Sequence, residues 1–341
     1  MKIHALAALG EKRPLEHFTY EKDVSPDDVL ISILYTSCAR GDVRFIDNFW
    51  GDSSYPMVPG GEVIGVIKQK GKNVRGLDVE DCVGVGYQVS ACFKCNYCRA
   101  GKEQFCADQR LLFIHEFGGY AEAMVVDHRF VFKLPKNLCV ANATPLLSSG
   151  LTVYTAIKKA GATSGMNVGV VGVGNLGHLA IQFLHSMGAH VTAFSHTPAK
   201  EKVLKNLGTQ SFIPSNDEKE LMKVKRQYDF ILSTSSGSLN WELFIQALTP
   251  QGTLCFVGLP PENISFKAEL LADYAQRSIM GNYIGSRADM DEMLQYASKK
   301  HILAVCEEFP IRDANYVLDQ VRKDTFPFSV VLSNKKYQWR A

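Results

Sequence analysis

Residues 167–188 read NVGVVGVGNLGHLAIQFLHSMG. Asn167–Val173 is a continuous apolar run, the pattern of a strand buried on both faces of a parallel sheet. Leu176, Leu179, Ala180, Phe183, Leu184 and Met187 then recur at helical spacing up to Gly188. Between strand and helix stand Gly172, Gly174 and Gly177. Three glycines at this spacing arise easily by chance, but a strand before them and a helix after them make the pattern specific for a dinucleotide-binding turn. The first glycine permits the tight turn and the second lets backbone approach a pyrophosphate. The third lets helix pack on strand, and the helix start offers free N–H groups to the phosphates.

The same alternation extends outward. Leu146–Ala160 has helical spacing and stops at Gly161. His190–Phe194 reads as a second strand, Glu201–Leu207 as a second helix, and Asp229–Ser233 and Gly252–Val257 as two more strands. This predicts an α/β fold with a doubly wound parallel sheet over about residues 146–280. Before it, in residues 1–145, Val29–Tyr35, Glu62–Lys68, Cys82–Tyr87, Tyr120–Val126 and Phe130–Lys133 read as strands between turns, a mostly β domain. The tail, residues 281–341, resumes mixed character, ends in the apolar run Phe328–Leu332 and is expected to rejoin the first domain.

Composition bounds the function. The chain has 341 residues, 37 Lys+Arg against 35 Asp+Glu, and 46% hydrophobic residues. A formal charge of +2 gives no electrostatic reason for nucleic acid or an anionic membrane as partner. No apolar run is long enough to span a bilayer, and Met1–Glu11 lacks a signal-peptide core, so a cytoplasmic protein acting on a small molecule is expected.

The end of the second strand bears on the cofactor. An NAD site usually carries Asp or Glu there for the ribose hydroxyls. This chain reads Phe194-Ser195-His196-Thr197-Pro198-Ala199-Lys200. Hydroxyls and a cation suit a 2′-phosphate that a carboxylate would repel, which favours NADP(H). The other reading is a solvated loop that merely lacks acids.

Cys92, Cys95, Cys98 and Cys106 form C-x2-C-x2-C-x7-C in a lobe over about residues 88–110. Four thiolates at this spacing suit one tetrahedral Zn²⁺ with no open position, hence a structural site. Disulfides are the alternative, though nothing in the sequence suggests secretion. Cys38, Cys82, Cys139, Cys255 and Cys306 are dispersed and are expected to be buried core thiols.

Taken together, these motifs resemble the zinc-dependent medium-chain dehydrogenase/reductase family, in particular its cinnamyl-alcohol-dehydrogenase-like branch. The resemblance rests on the cysteine lobe, Tyr55-Pro56-x-Val58-Pro59-Gly60, Gly84-Val85-Gly86, Pro145-Leu146-Leu147-x-x-Gly150-x-Thr152-Val153-Tyr154 and Val170-Val171-Gly172-x-Gly174-x-Leu176-Gly177-His178. It implies a GroES-like catalytic domain interrupted by a Rossmann domain, an active site in the cleft between them, NADP(H)-dependent interconversion of alcohols and aldehydes, and a homodimer. It places cofactor contacts at Arg40, Thr152, Gly172, Gly174, Asn175, Leu176, Gly177, Ser195, His196, Thr197, Lys200, Gly258 and Ile284.

One part of the pattern is missing. The family's catalytic zinc ligands fall, without a gap, on Ala39, Gly61 and Ser148, and the proton-relaying hydroxyl falls on Gly41; Glu62 remains. Shifting the alignment to use Cys38 would break the match from Tyr35 to Asp42 and turn the side chain to the other face of a strand. No catalytic zinc is therefore expected. Arg40 has three readings: a pyrophosphate contact, a salt bridge with Glu62, or a polariser of substrate. Tyr87 and Trp50 match pocket-lining positions, with Tyr87, Glu62 and Ser148 as candidate catalytic groups; Tyr87 is also readable as plain aromatic wall. His115 and Asp42 are acid/base candidates with structural readings.

A metal that lowers the pKa of bound water from about 15.7 to about 7 contributes roughly 12 kcal/mol toward an alkoxide. Reduction of an activated acceptor (a conjugated enal or enone, a quinone, an iminium or an aldehyde) needs less of that help. The expectation is an NADP(H)-dependent reductase without catalytic zinc. The alternatives are conventional alcohol/aldehyde dehydrogenase activity and a non-catalytic NADP(H)-binding protein.

Overall fold

The computed structural model describes residues 1–335 and 337–339. The chain forms two compact units, one of Met1–Ser148, Gly285–Lys299 and the chain from Leu303 onward, the other of Ser149–Ile284 with Lys300–Ile302.

The first unit is built on a seven-stranded sheet. Its central strand, Asp28–Cys38, is buried along most of its length and pairs antiparallel with Val63–Lys70, Ala123–Asp127 and Ser329–Ser333. Cys82–Val85 and Val131–Lys133 extend the sheet on one side and Cys306–Pro310 on the other. The register pairs Thr36 with Val63 and Val63 with Val85. The segments just beyond these pairs, Ala39–Asp42, Gly61–Glu62 and Gly86–Tyr87, therefore emerge together at one end of three neighbouring strands. Ile31, Ile64, Ile67, Val83 and Val85 are fully buried in the core beneath them.

Two expectations for the cysteines are corrected here. Cys82 and Cys139 are not separate core thiols; they form a disulfide. It ties the first residue of Cys82–Val85 to the turn before the 3₁₀ segment Ala141–Leu147, which leads to Ser148. The pairing is invisible in sequence because 57 residues separate the partners. Cys306 is partly exposed on an outer strand, while Cys38 and Cys255 are buried as expected. Closing a loop of this length restricts the unfolded chain by an amount worth about 2–4 kcal/mol. Unfolding followed by tryptophan fluorescence should show that loss on adding dithiothreitol or on Cys82→Ser; an unchanged midpoint would contradict it.

The second unit holds a six-stranded parallel sheet in the order Thr209–Pro214, His190–Ser195, Asn167–Val171, Tyr228–Ser233, Leu248–Phe256, Ser278–Gly281. The strand order reverses between Asn167–Val171 and Tyr228–Ser233, so their carboxyl ends flank the switch point where ligands of such sheets bind. The helix Ser149–Lys159 starts three residues later than its pattern suggested, because Ala141–Leu147 is a 3₁₀ segment containing Pro145. Phe194, Tyr228, Trp241 and Phe244 pack edge to face or tilted, with centroids 5.4–5.6 Å apart, and join Val171, Ile231 and Leu254 in one core. Among the described residues no helix is long and apolar enough to cross a membrane.

Candidate functional site

In the first unit, Cys92, Cys95, Cys98 and Cys106 converge with all four Sγ atoms within 4.8 Å of one another, and Cys92 and Cys98 Sγ are 3.9 Å apart. Four sulfurs each about 2.3 Å from a central zinc would stand about 3.8 Å from one another, so the donor set fits a tetrahedral zinc. Backbone N–H groups of Cys92, Cys95 and Cys98 donate to the sulfurs of Cys106, Cys92 and Cys95 at 3.4–3.5 Å. N–H donors from Lys94 and Cys95 hold the Cys92 thiol down at about 6. The lobe is clamped from outside: the Arg129 guanidinium lies 3.9 Å over the Phe93 ring, and Arg287 pairs with the buried Glu103 at 2.9 Å. Among the described residues this is the one group of three or more His, Cys, Asp or Glu side chains arranged to hold a metal.

Ala39, Gly61 and Ser148 offer no thiolate or imidazole. Position 61 has no room for one either. A Cβ there would lie 2.8 Å from Phe113 Cε1 and 3.4 Å from Tyr87 Cδ2. Phe113 is buried and packs against Tyr87 and Phe45 with centroids 5.2 and 4.9 Å away; Trp50, about two-fifths exposed, lies tilted against Phe45 at 4.7 Å. A Cβ on Gly41, by contrast, would meet nothing within 4 Å. Glu62 is buried, and its Oε1 accepts the Ser148 N–H at 3.1 Å.

Asp42 is held by backbone. Its Oδ2 accepts the Ala39 N–H at 2.8 Å and its Oδ1 the Gly60 N–H at 2.7 Å, so the carboxylate joins the start of helix Arg40–Ile46 to the glycine pair. Burial pushes its pKa up to about 6, against the pull of those two N–H groups. A carboxyl raised in the folded state stabilises the fold at low pH and loses that contribution as pH rises from about 4 to about 6, an effect on the order of 3 kcal/mol. Urea unfolding of Asp42→Asn against the parent chain across this range should lack that slope; parallel profiles would contradict it. His115 lies on the surface, where its Nδ1 accepts the Leu111 N–H at 3.2 Å. The Arg40 guanidinium pairs with Asp324 at 2.6 Å, an exposed partner that sequence reading missed.

In the second unit, Gly172 has a left-handed φ of +79°, and a Cβ there would lie 2.8 Å from Ser235 Cα. A Cβ on Gly177 would strike the Gly172 carbonyl oxygen, whereas one on Gly174 would meet nothing within 4 Å. Two glycines are therefore required by the protein's own packing, and Gly174 leaves a backbone face open. The helix Gly177–Ser186 follows Leu176 with no side-chain cap. Its first turn is set by His178, whose Nδ1 lies 2.9 Å from Gly174 O and which burial holds neutral, with a pKa down at about 4. Asn175 Nδ2 donates to Ser149 Oγ at 2.8 Å.

Lys200 Nζ donates to Val173 O at 2.9 Å, placing the cation of the Ser195–Lys200 segment against the glycine turn. Ser195 is buried and accepts the Thr197 N–H at 3.2 Å, while His196 is exposed. Gly258 abuts the backbone of Thr234 and Ser235, the segment against which Gly172 packs. Thr152 lies in the helix Ser149–Lys159, whose first residue takes the Asn175 donor; Asn282 Nδ2 donates to Thr152 O at 3.1 Å, and Ile284 is buried. The glycine turn thus carries an open backbone face at Gly174 with the Lys200 cation beside it. Phe113 and Phe45 were missed, since nothing in residue type or spacing marks them.

Comparison with known proteins agrees with this architecture. Residues 25–136 match the alcohol dehydrogenase GroES-like domain and residues 175–299 the zinc-binding dehydrogenase family. The chain is 32% identical over 335 residues to an aldehyde reductase AdhA of Synechocystis sp., covering 98% of this chain and 99% of that protein. The structure of cinnamyl alcohol dehydrogenase SbCAD4 from Sorghum bicolor superposes with a TM-score of 0.95 at 29% identity, covering 100% of both chains. That of CAD from Helicobacter pylori complexed with NADP(H) superposes with a TM-score of 0.92 at 28% identity over 99% of both. A GroES-like sheet unit and a Rossmann unit, matched along nearly the whole chain, make this protein a member of the medium-chain alcohol dehydrogenase family.

Proposed function

We propose that the chain is an NADP(H)-dependent reductase whose reaction centre uses no catalytic metal. The observation that carries this reading is the Phe113 ring standing where a side chain at position 61 would project, with Ala39 and Ser148 as the other two positions. Zinc prefers several thiolate or imidazole ligands; an alanine, a glycine and a hydroxyl do not fit it. Asp42 is committed to two backbone N–H groups and Glu62 takes the Ser148 N–H, which supports roles for both in holding the fold of the site.

When bound, the reduced nicotinamide supplies a hydride. The substrate then has to carry its own electron sink, as conjugated enals and enones, quinones, iminium ions and, less readily, aldehydes do. Tyr87 and Trp50 form the wall against which such an acceptor lies, and Tyr87 is the candidate donor of a hydrogen bond. On the cofactor side, the open backbone at Gly174 and the uncapped helix start after Leu176 support a pyrophosphate there. Ser195, His196, Thr197 and Lys200, with no acid among them, support NADP(H) over NAD(H), as does the NADP(H) complex of the Helicobacter pylori relative. Arg40, Thr152, Asn175, Gly258 and Ile284 complete the proposed contacts. We further assign one structural zinc to the four-cysteine lobe, and propose a homodimer acting on a small molecule.

The test is NADPH oxidation followed at 340 nm with enals, enones, quinones and saturated aldehydes, together with NADPH binding by fluorescence. Turnover led by the conjugated acceptors is expected. Preference for simple alcohols as substrates of oxidation would restore the conventional dehydrogenase reading. Silence across the set with NADPH bound would leave a non-catalytic binding protein.

A further inference from the structure

Ten non-glycine residues among those described have left-handed backbone, and of these Phe113 alone is buried. A bulky side chain at φ +49° is held there against its own preference, since glycine or asparagine would adopt it at less cost. Such strain persists only where the surroundings over-determine it, and it clusters at functional positions.

The surroundings do so here. Leu112 N–H donates to Tyr87 O at 2.9 Å, His115 N–H to Leu111 O at 3.0 Å, and Arg110 to His115 O at 2.8 Å. Glu116 is gripped by Arg110 and Lys22, each at 2.7 Å. This closed turn drives the ring between Phe45, Tyr87 and the bare backbone of Gly61.

We propose that Phe113 is a specificity-determining positioning residue: its ring occupies the space a metal-ligating side chain at position 61 would need, and it holds the Tyr87 ring as the flat wall that favours planar, conjugated acceptors over saturated ones. This rests on the metal-free reading of the site. The ring contributes in two ways, as an obstacle to a ligand at position 61 and as the support that holds Tyr87 for offset or edge-to-face stacking with a conjugated system.

Two measurements test it. The first is the ratio of kcat/KM for an aryl-conjugated enal to that for a saturated aldehyde of equal length, in the parent chain and in Phe113→Gly, which suits the backbone while removing the ring. The ratio should fall at least tenfold with NADPH affinity unchanged; an unchanged ratio in a variant that keeps its lobe zinc would overturn the proposal. If Phe113→Gly fails to fold, Phe113→Leu, which keeps bulk without a flat face, carries the same comparison. The second is zinc content of the triple variant Ala39→Cys/Gly61→His/Ser148→Cys, with Phe113 retained or changed to Gly. A second zinc should be taken up only when the ring is gone, and its uptake with Phe113 in place would overturn the proposal. A second zinc in the parent chain would instead defeat the metal-free reading itself, so the two failures are distinguishable.

Discussion

Replacing Cys98 with serine should empty the four-cysteine lobe of zinc and unfold it while the seven-stranded sheet survives. In small peptides whose fold depends on such a site, zinc binding amounts to about 10–16 kcal/mol near neutral pH, far more than a lobe of this size gains from its own packing. That packing is slight: Ala91, Cys98, Cys106 and Phe130 are its buried members, and Tyr97 and Phe105 are each more than half exposed. The sheet is expected to persist because its strand pairs, from Cys306–Pro310 across to Val131–Lys133, make their hydrogen bonds without passing through residues 92–106. Amide exchange by mass spectrometry should show full loss of protection in 92–106 and retained protection in Asp28–Cys38. Wild-type zinc content in the variant, or loss of both regions at once, would contradict this assignment.

Gly174→Asp should weaken NADPH binding a thousandfold or more and leave stability nearly unchanged. A side chain at 174 meets no protein atom within 4 Å, so the fold has no reason to resist it. A carboxylate there would face the pyrophosphate, and like-charge juxtaposition costs several kcal/mol; at about 1.36 kcal/mol per decade a loss of about 4 kcal/mol is a thousandfold. Gly177→Ala provides the contrast. Its Cβ would collide with the Gly172 carbonyl, so it should lower the thermal midpoint as well as affinity. Fluorescence titration and thermal unfolding of both variants separate a glycine kept for ligand from one kept for packing. Equal affinity in Gly174→Asp would remove the nucleotide from this turn.

The different visibility of these features in the sequence has a physical basis. Buried parallel strands such as Asn167–Val171 and His190–Ser195 leave uninterrupted apolar runs, and the glycine turn is forced by local sterics, so both are legible in a short window. The four lobe cysteines are legible because they stand close together in the chain and their sulfurs converge on one point. Thr209–Pro214 escaped notice because it is an outer strand with Gln210 and Ser211 exposed, which breaks the apolar pattern. The Cys82–Cys139 bond and the Arg40–Asp324 pair join residues far apart in the chain, and no local pattern records such a meeting. Phe113 is hidden for another reason: its residue type argues against the backbone it adopts, and only the closed turn from Arg110 to Glu116 makes that conformation hold. The residue types at 39, 61 and 148 are plain in the sequence; the ring that fills the space beside Gly61 is not.

The most direct test of the metal-free centre is zinc per chain, measured by inductively coupled plasma mass spectrometry on protein dialysed against excess zinc and then desalted, with NADPH-dependent enone reduction assayed on the same sample. One zinc per chain with reductase activity intact is the predicted result. Two tightly held zinc ions per chain, with activity that follows the second, would contradict it.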